Sequence, residues 1–85
     1  MRVEHDVAHD AAYFAFTAGP PVRQEKLDAD RVVDIAADGS VVGVEFISPS
    51  RGLDLRGVPR ATEIARAARR RGMRVLPLSD VARAG

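Results

Sequence analysis

Apolar and polar positions alternate most clearly over Val32–Ile47, VVDIAADGSVVGVEFI, where two β-branched runs of period two flank a turn signal. That pattern predicts a β-hairpin. Side chains of a strand alternate between faces, so a slip of one residue would turn the whole apolar set out to water. With Ala36, Ala37, Asp38 and Gly39 as a four-residue loop, Ile35 stands opposite Ser40 and Val33 opposite Val42. Val33, Ile35, Val42, Val44 and Phe46 then share one face, and Asp34, Val41, Gly43 and Glu45 the other. Gly39 is expected to close a type I turn at positive φ. Gly43, inside a strand, marks a bulge or the close approach of another backbone.

The same reasoning along the chain predicts a first strand at residues 1–4, with Met1, Val3 and His5 on one side and Arg2, Glu4 and Asp6 on the other. Residues 6–10, DVAHD, read as a turn in which Asp6 and Asp10 accept backbone hydrogen bonds. A second strand follows at residues 11–17, with Ala12, Phe14 and Phe16 opposite in sense to Ala11, Tyr13 and Ala15. Apolar residues on both faces point to a central position. AGPP at residues 18–21 ends it. Residues 22–27, VRQEKL, suit an edge strand whose charges discourage stray pairing.

Residues 48–60 contain two prolines and two glycines and read as a surface connector anchored by Leu53, Leu55 and Val58. From about Pro59, ATEIARAARRR has the spacing of an amphipathic helix, with Ala61, Ile64, Ala65 and Ala68 as its apolar stripe. Gly72 supplies a left-handed stop. Residues 73–78, MRVLPL, read as a short final strand and residues 81–85 as a frayed tail. The fold class expected is α+β: a small curled antiparallel sheet of four to five strands, one C-terminal helix laid across its apolar face, and a short final strand. Residues 1–50 form an antiparallel β-meander core. Residues 51–85 extend the same single domain.

Length and charge sharpen this picture. A chain of 85 residues buries only about 60–65% of its unfolded surface, and with no cysteine it has no disulfide to compensate. Its helix stripe, Ile64 plus alanines, is thin at about 25 cal/mol per Å² of apolar area. Both points favour a homodimer. Without a basic and apolar leader or a run of some 18 apolar residues, the reading is a cytoplasmic protein away from membranes. The net charge of +1 conceals a division: residues 1–48 carry four basic and nine acidic side chains, residues 49–85 nine and three. Such polarity bears on association.

Taken together, Asp6, Asp10, Ala11, Tyr13 and Phe14, followed by Val33, Asp34, Asp38, Gly39, Val42, Gly43, Val44 and Glu45, give an aspartate-flanked turn, an aromatic strand and an acidic-Gly hairpin. Over residues 1–50 this resembles a small bacterial family of uncharacterised domains, domain of unknown function 2283. The resemblance implies a small antiparallel β-domain and an antitoxin or accessory role, with no established activity. His5, Val7 and His9 stand where that family more often has an aromatic, a proline and an alanine.

Three constellations invite a chemical reading. HDVAHD brings His5, Asp6, His9 and Asp10 within six residues, a metal-like spacing, but with no third cluster of His or Cys it reads as a turn with satisfied histidines, and no cofactor or metal is expected. Asp34 and Glu45 share the outer face, where paired carboxylates can do acid and base work and a solvated, aggregation-resistant face explains them as well. With no nucleophile or phosphate loop the expectation is a protein that is not an enzyme. Arg66, Arg69, Arg70, Arg71 and Arg74 form a basic patch for a protein partner or an anion; nucleic acid is the lesser expectation, for want of interleaved aromatics. Phe14, Phe16, Val33, Val42, Val44 and Phe46 form the core or association face. The expected role is self-association and protein-partner binding, the alternative an antitoxin-type or nucleic-acid-binding regulator built on the Arg-rich helix.

Overall fold

In the computed structural model, which describes residues 1–78, the chain separates into two compact units, Met1–Ser48 and a second beginning at Pro49. The first is a five-stranded sheet of β1 (Arg2–Asp6), β2 (Ala11–Ala15), β3 (Arg23–Asp28), β4 (Arg31–Ile35) and β5 (Val41–Ile47). All pairings are antiparallel, in the order β1-β2-β5-β4-β3. A strict meander would set β3 beside β2. Here β5 takes that place, and residues 16–22 cross from β2 to the far edge, giving β2–β5 a Greek-key order. The crossing is tied down at both ends: Phe16 and Thr17 N–H both donate to Val42 O, at 2.8 and 3.3 Å, and Val22 N–H donates to Ile35 O at 2.8 Å.

Several strand limits differ from those the pattern predicts. β1 runs to Asp6, because His5 and Asp6 still pair with Ala12 and Ala11. β2 stops at Ala15, since the next two amides turn to the Val42 carbonyl. The second strand is internal and VRQEKL does supply an edge strand, with all six residues of β3 exposed. β4 begins at Arg31, one residue before the expected hairpin.

The hairpin register is corrected by one residue at Ile35 and by two from Asp34 outward. Ala36 N–H donates to Ser40 O at 2.8 Å and Gly39 N–H to Ala36 O at 3.0 Å, so the loop holds three residues, with Gly39 at φ 86°. Ile35 pairs with Val41, but Asp34 pairs with Gly43 and Val33 with Val44, the ladder skipping Val42. A three-residue loop alone would have reversed the faces of β5. The bulge at Val42 restores them. Val41, expected on the outer face, stands opposite Ile35 instead.

Two rows result on the inner face: Val3, Phe14, Val44 and Val33 in one, and His5, Ala12, Phe46 and Arg31 in the next, apolar at its centre. Phe14, Val44 and Phe46 are almost wholly buried, and the two phenyl rings meet edge to face at 5.6 Å. Arg31 is itself 8% exposed, and its Nε and Nη2 donate to Asp28 Oδ2 at 3.0 and 2.9 Å. That contact satisfies a charge which burial would otherwise penalise, and it holds Asp28 below the usual carboxylate range.

In the second unit a 3-10 turn at Pro49–Arg51 leads to Leu53, which forms a parallel bridge with Val75. Leu53 N–H donates to Arg74 O at 2.8 Å, and Leu76 N–H to Leu53 O at 2.9 Å. The final extended segment is thus one bridge within its own chain rather than a run of ladder pairs. Pro77, with no N–H, limits it. Leu53, Leu55 and Val58 are buried.

Helix α1 spans Ala61–Arg70 and buries Ile64, Ala65 and Ala68. It starts two residues after Pro59, because Arg60 at φ 53° is the N-cap, and the Arg60 guanidinium bonds Glu63 rather than capping the backbone. Its end is a Schellman motif: Gly72 at φ 76°, with Gly72 N–H to Arg69 O at 3.1 Å and Met73 N–H to Ala68 O at 2.9 Å. The tail expected at residues 81–85 lies outside the described residues.

Candidate functional site

Asp34 and Glu45 do lie on one face of the sheet, in adjacent rows, since Glu45 pairs with Val32 and Asp34 with Gly43. Asp34 is 9% exposed, and each of its oxygens is taken: Tyr13 Oη donates to Oδ2 and Gln24 Nε2 to Oδ1, both at 2.9 Å. β2, β4 and β3 each contribute one of these side chains, and the intervening β5 contributes none. At Gly43 an added Cβ would lie 2.4 Å from Tyr13 Oη, 2.5 Å from Cζ and 2.7 Å from Phe14 O. The glycine is therefore the floor on which the Tyr13 ring lies. Burial of the ring, then the hydrogen bond to Asp34 and its negative charge, push the Tyr13 hydroxyl up to about 12. Tyr13, Asp34 and Gln24 thus fasten β2, β4 and β3 to one another across this face.

In HDVAHD, the β1–β2 connection brings Asp6 and His9 together: His9 N–H donates to Asp6 Oδ1 at 3.1 Å, and His9 Nδ1 lies 2.8 Å from Oδ2. His5 sits one strand position away, paired with Ala12. Among the described residues no group of three or more His, Cys, Asp or Glu side chains is arranged to hold a metal ion.

Phe14, Val33, Val42, Val44 and Phe46 are buried, while Phe16 is half-buried where the chain leaves β2. Arg66, Arg69 and Arg70 lie on the exposed side of α1, Arg71 is its C-cap residue, and Arg74 follows the Schellman turn; all five are exposed. Arg74 Nη2 donates to Arg51 O at 2.9 Å, which draws a further arginine beside the set. Among the described residues Arg66, Arg69, Arg70 and Arg71 make no ion pair. Arginines in the last helical turn also suit the negative end of the helix dipole, which accounts for Arg69 and Arg70 locally but leaves their guanidinium groups open to a partner.

Alongside α1 runs an open, mainly apolar groove of about 220 Å³. Leu55, Ala61, Ala65, Leu76 and Leu78 line it, and the exposed Arg69 lines it as well. Periodicity alone does not give this groove, because part of its lining, Val75 and Leu76, is placed by the bridge to Leu53. The boundary between units falls after Ser48, the same point that divides the acidic from the basic part of the chain.

No helix among the described residues is long and apolar enough to cross a membrane. A family model described as a protein of unknown function (DUF2283) matches residues 2–50, the sheet and the turn after it. No curated protein and no solved structure matches the chain.

Proposed function

The chain belongs to this DUF2283 family, and from its geometry we propose that it acts as a non-enzymatic, cytoplasmic association module, a homodimer that also engages a second protein. One observation carries this reading. The basic unit presents Arg66, Arg69, Arg70 and Arg71 in the open with no ion pair among the described residues, and the acidic unit offers the complementary charge in the same polypeptide. Opposite charges on two surfaces of one chain steer copies together and fix their register. The engagement of Asp34 by Tyr13 and Gln24 supports a structural rather than a catalytic use of the outer face.

The same exposed arginines favour one second reading, a nucleic-acid-binding or antitoxin-type regulator. Against it, the basic part of the chain contains no aromatic residue from position 49 onward, so it has no platform for stacking bases. Binding would rest on phosphate contacts alone.

Solution mass by light scattering coupled to size exclusion, at low and at high salt, tests the first reading. A dimer at low salt supports it, and persistence at high salt shows that apolar contact contributes. A monomer at both salts overturns it, and salt-sensitive retardation of DNA by that monomer would establish the second.

A further inference from the structure

The unpaired Arg69 that lines the groove has a counterpart elsewhere in the chain. At the β3–β4 turn the ladder skips from Lys26 to Asp28, leaving Leu27 as an unpaired bulge on an edge strand, 38% exposed. Asp28 beside it is committed to Arg31. Asp30 is not: it is exposed, and among the described residues its carboxylate has no partner, only its backbone N–H and carbonyl being engaged, with Asp28 and Ile47. The turn therefore presents a projecting leucine and a free carboxylate close together. The groove presents a mainly apolar lining and, from Arg69, a guanidinium with no ion pair among the described residues.

We infer that the groove beside α1 receives the β3–β4 turn of a second copy of this chain, Leu27 entering between Leu55, Ala65 and Leu76 and Asp30 meeting Arg69. The inference rests on the self-association proposed above and names its surfaces. Each half of the contact supplies what the other lacks. An aliphatic side chain leaves water for an apolar floor, and a bidentate guanidinium–carboxylate contact fixes its orientation. The two surfaces differ, so reciprocal use by two copies closes a dimer with two equal contacts, whereas one-way use would build an open chain. The charge division of the sequence fits this, because it sets the acidic unit of one copy against the basic unit of the other. Edge-to-edge pairing of β3 is the competing arrangement, and its charged side chains oppose it.

The test uses the full chain with two exposed-site variants, Leu27→Glu and Arg69→Glu, each checked for folding by circular dichroism and followed by light scattering. The wild type is expected to be dimeric, and each variant to dissociate at least tenfold more readily. An equimolar mixture should form dimers again, since one intact turn still meets one intact groove. If Leu27→Glu loses its folded signal, Asp30→Lys replaces it in the same mixing experiment. Dimers that survive both variants overturn the inference while leaving self-association standing. So does dissociation by Leu27→Glu alone, which would indicate β3 edge pairing, and so does a mixture that stays monomeric. A wild type that is monomeric at every salt overturns the association reading as well.

Discussion

Tyr13 Oη reaches Asp34 Oδ2 at 2.9 Å across the bare backbone of Gly43, so that a side chain on β2 grips one on β4 over the strand between them. Gln24 on β3 holds the second oxygen of the same carboxylate. A hydrogen bond to a charged group contributes about 1.5–3 kcal/mol, and an unsatisfied one costs about as much.

Tyr13→Phe is accordingly expected to lower unfolding free energy by about 1–2 kcal/mol, measured by urea denaturation. Gly43→Ala should cost about 1–3 kcal/mol, because its Cβ meets both the Tyr13 ring and the Phe14 carbonyl. Combining it with Tyr13→Ala should relieve only the part due to the ring. Full additivity of the two losses would contradict the stacking of ring on glycine.

Tyr13 is the sole tyrosine, so its ionisation is directly readable in tyrosinate absorbance. In the folded protein the midpoint should lie near 12, against an ordinary value of 10, and Asp34→Asn should bring it down. The folded value is raised, so the stabilisation is fully present below pH 10 and is lost as pH rises from 10 through about 12. A wild-type midpoint at the ordinary value would break the assignment.

On the acid side the sign reverses. The Arg31 hydrogen bond lowers the Asp28 carboxyl, so its contribution holds above the ordinary carboxylate range and disappears as pH falls through the folded value. Asp28→Asn should flatten the acid limb of a stability-against-pH curve. An unchanged limb would assign acid sensitivity to other carboxylates.

Two substitutions separate the faces of β5. Val44→Asp places a charge at a site with no exposure, and it should unfold the protein, a loss of about 4 kcal/mol or more. Ile47→Asp, at a position 42% exposed, should change stability by only about 0.5 kcal/mol. A folded Val44→Asp protein by circular dichroism would refute the inner-face assignment.

At the end of α1, Gly72→Ala forces a Cβ into the left-handed region at φ 76° and should cost about 1 kcal/mol, visible as a lower melting temperature. Ala67→Gly, in the body of the helix, gives a comparison in which the loss comes from chain entropy alone.

The elements were legible in the sequence because each carries its own local signal: alternation in β4 and β5, an apolar stripe in α1, and glycine at the two left-handed stops Gly39 and Gly72. The pairing was not. VVGV at residues 41–44 is apolar at every position except the glycine, so alternation does not locate the bulge at Val42. Strand order depends on where the seven residues 16–22 lead, and prolines there end β2 without naming its neighbour. Gly43 was readable as a close approach of backbone, which the Phe14 carbonyl makes, but the Tyr13 ring comes closer still, and for it an aromatic on the neighbouring strand was the signal. The arginines were plain in the sequence, whereas the groove at their side depends on the single bridge between Leu53 and Val75.

The bulge at Val42 carries an implication for how this hairpin tolerates change of length. Loop and bulge each shift parity by one, and they cancel. Adding one residue between Ala36 and Ser40 while removing one at the bulge keeps every inner residue of β5 facing inward, whereas either alteration alone reverses the strand. Relatives with a four-residue loop and a straight β5 would therefore keep the same buried set, and those with only one of the two changes would have to rebuild it.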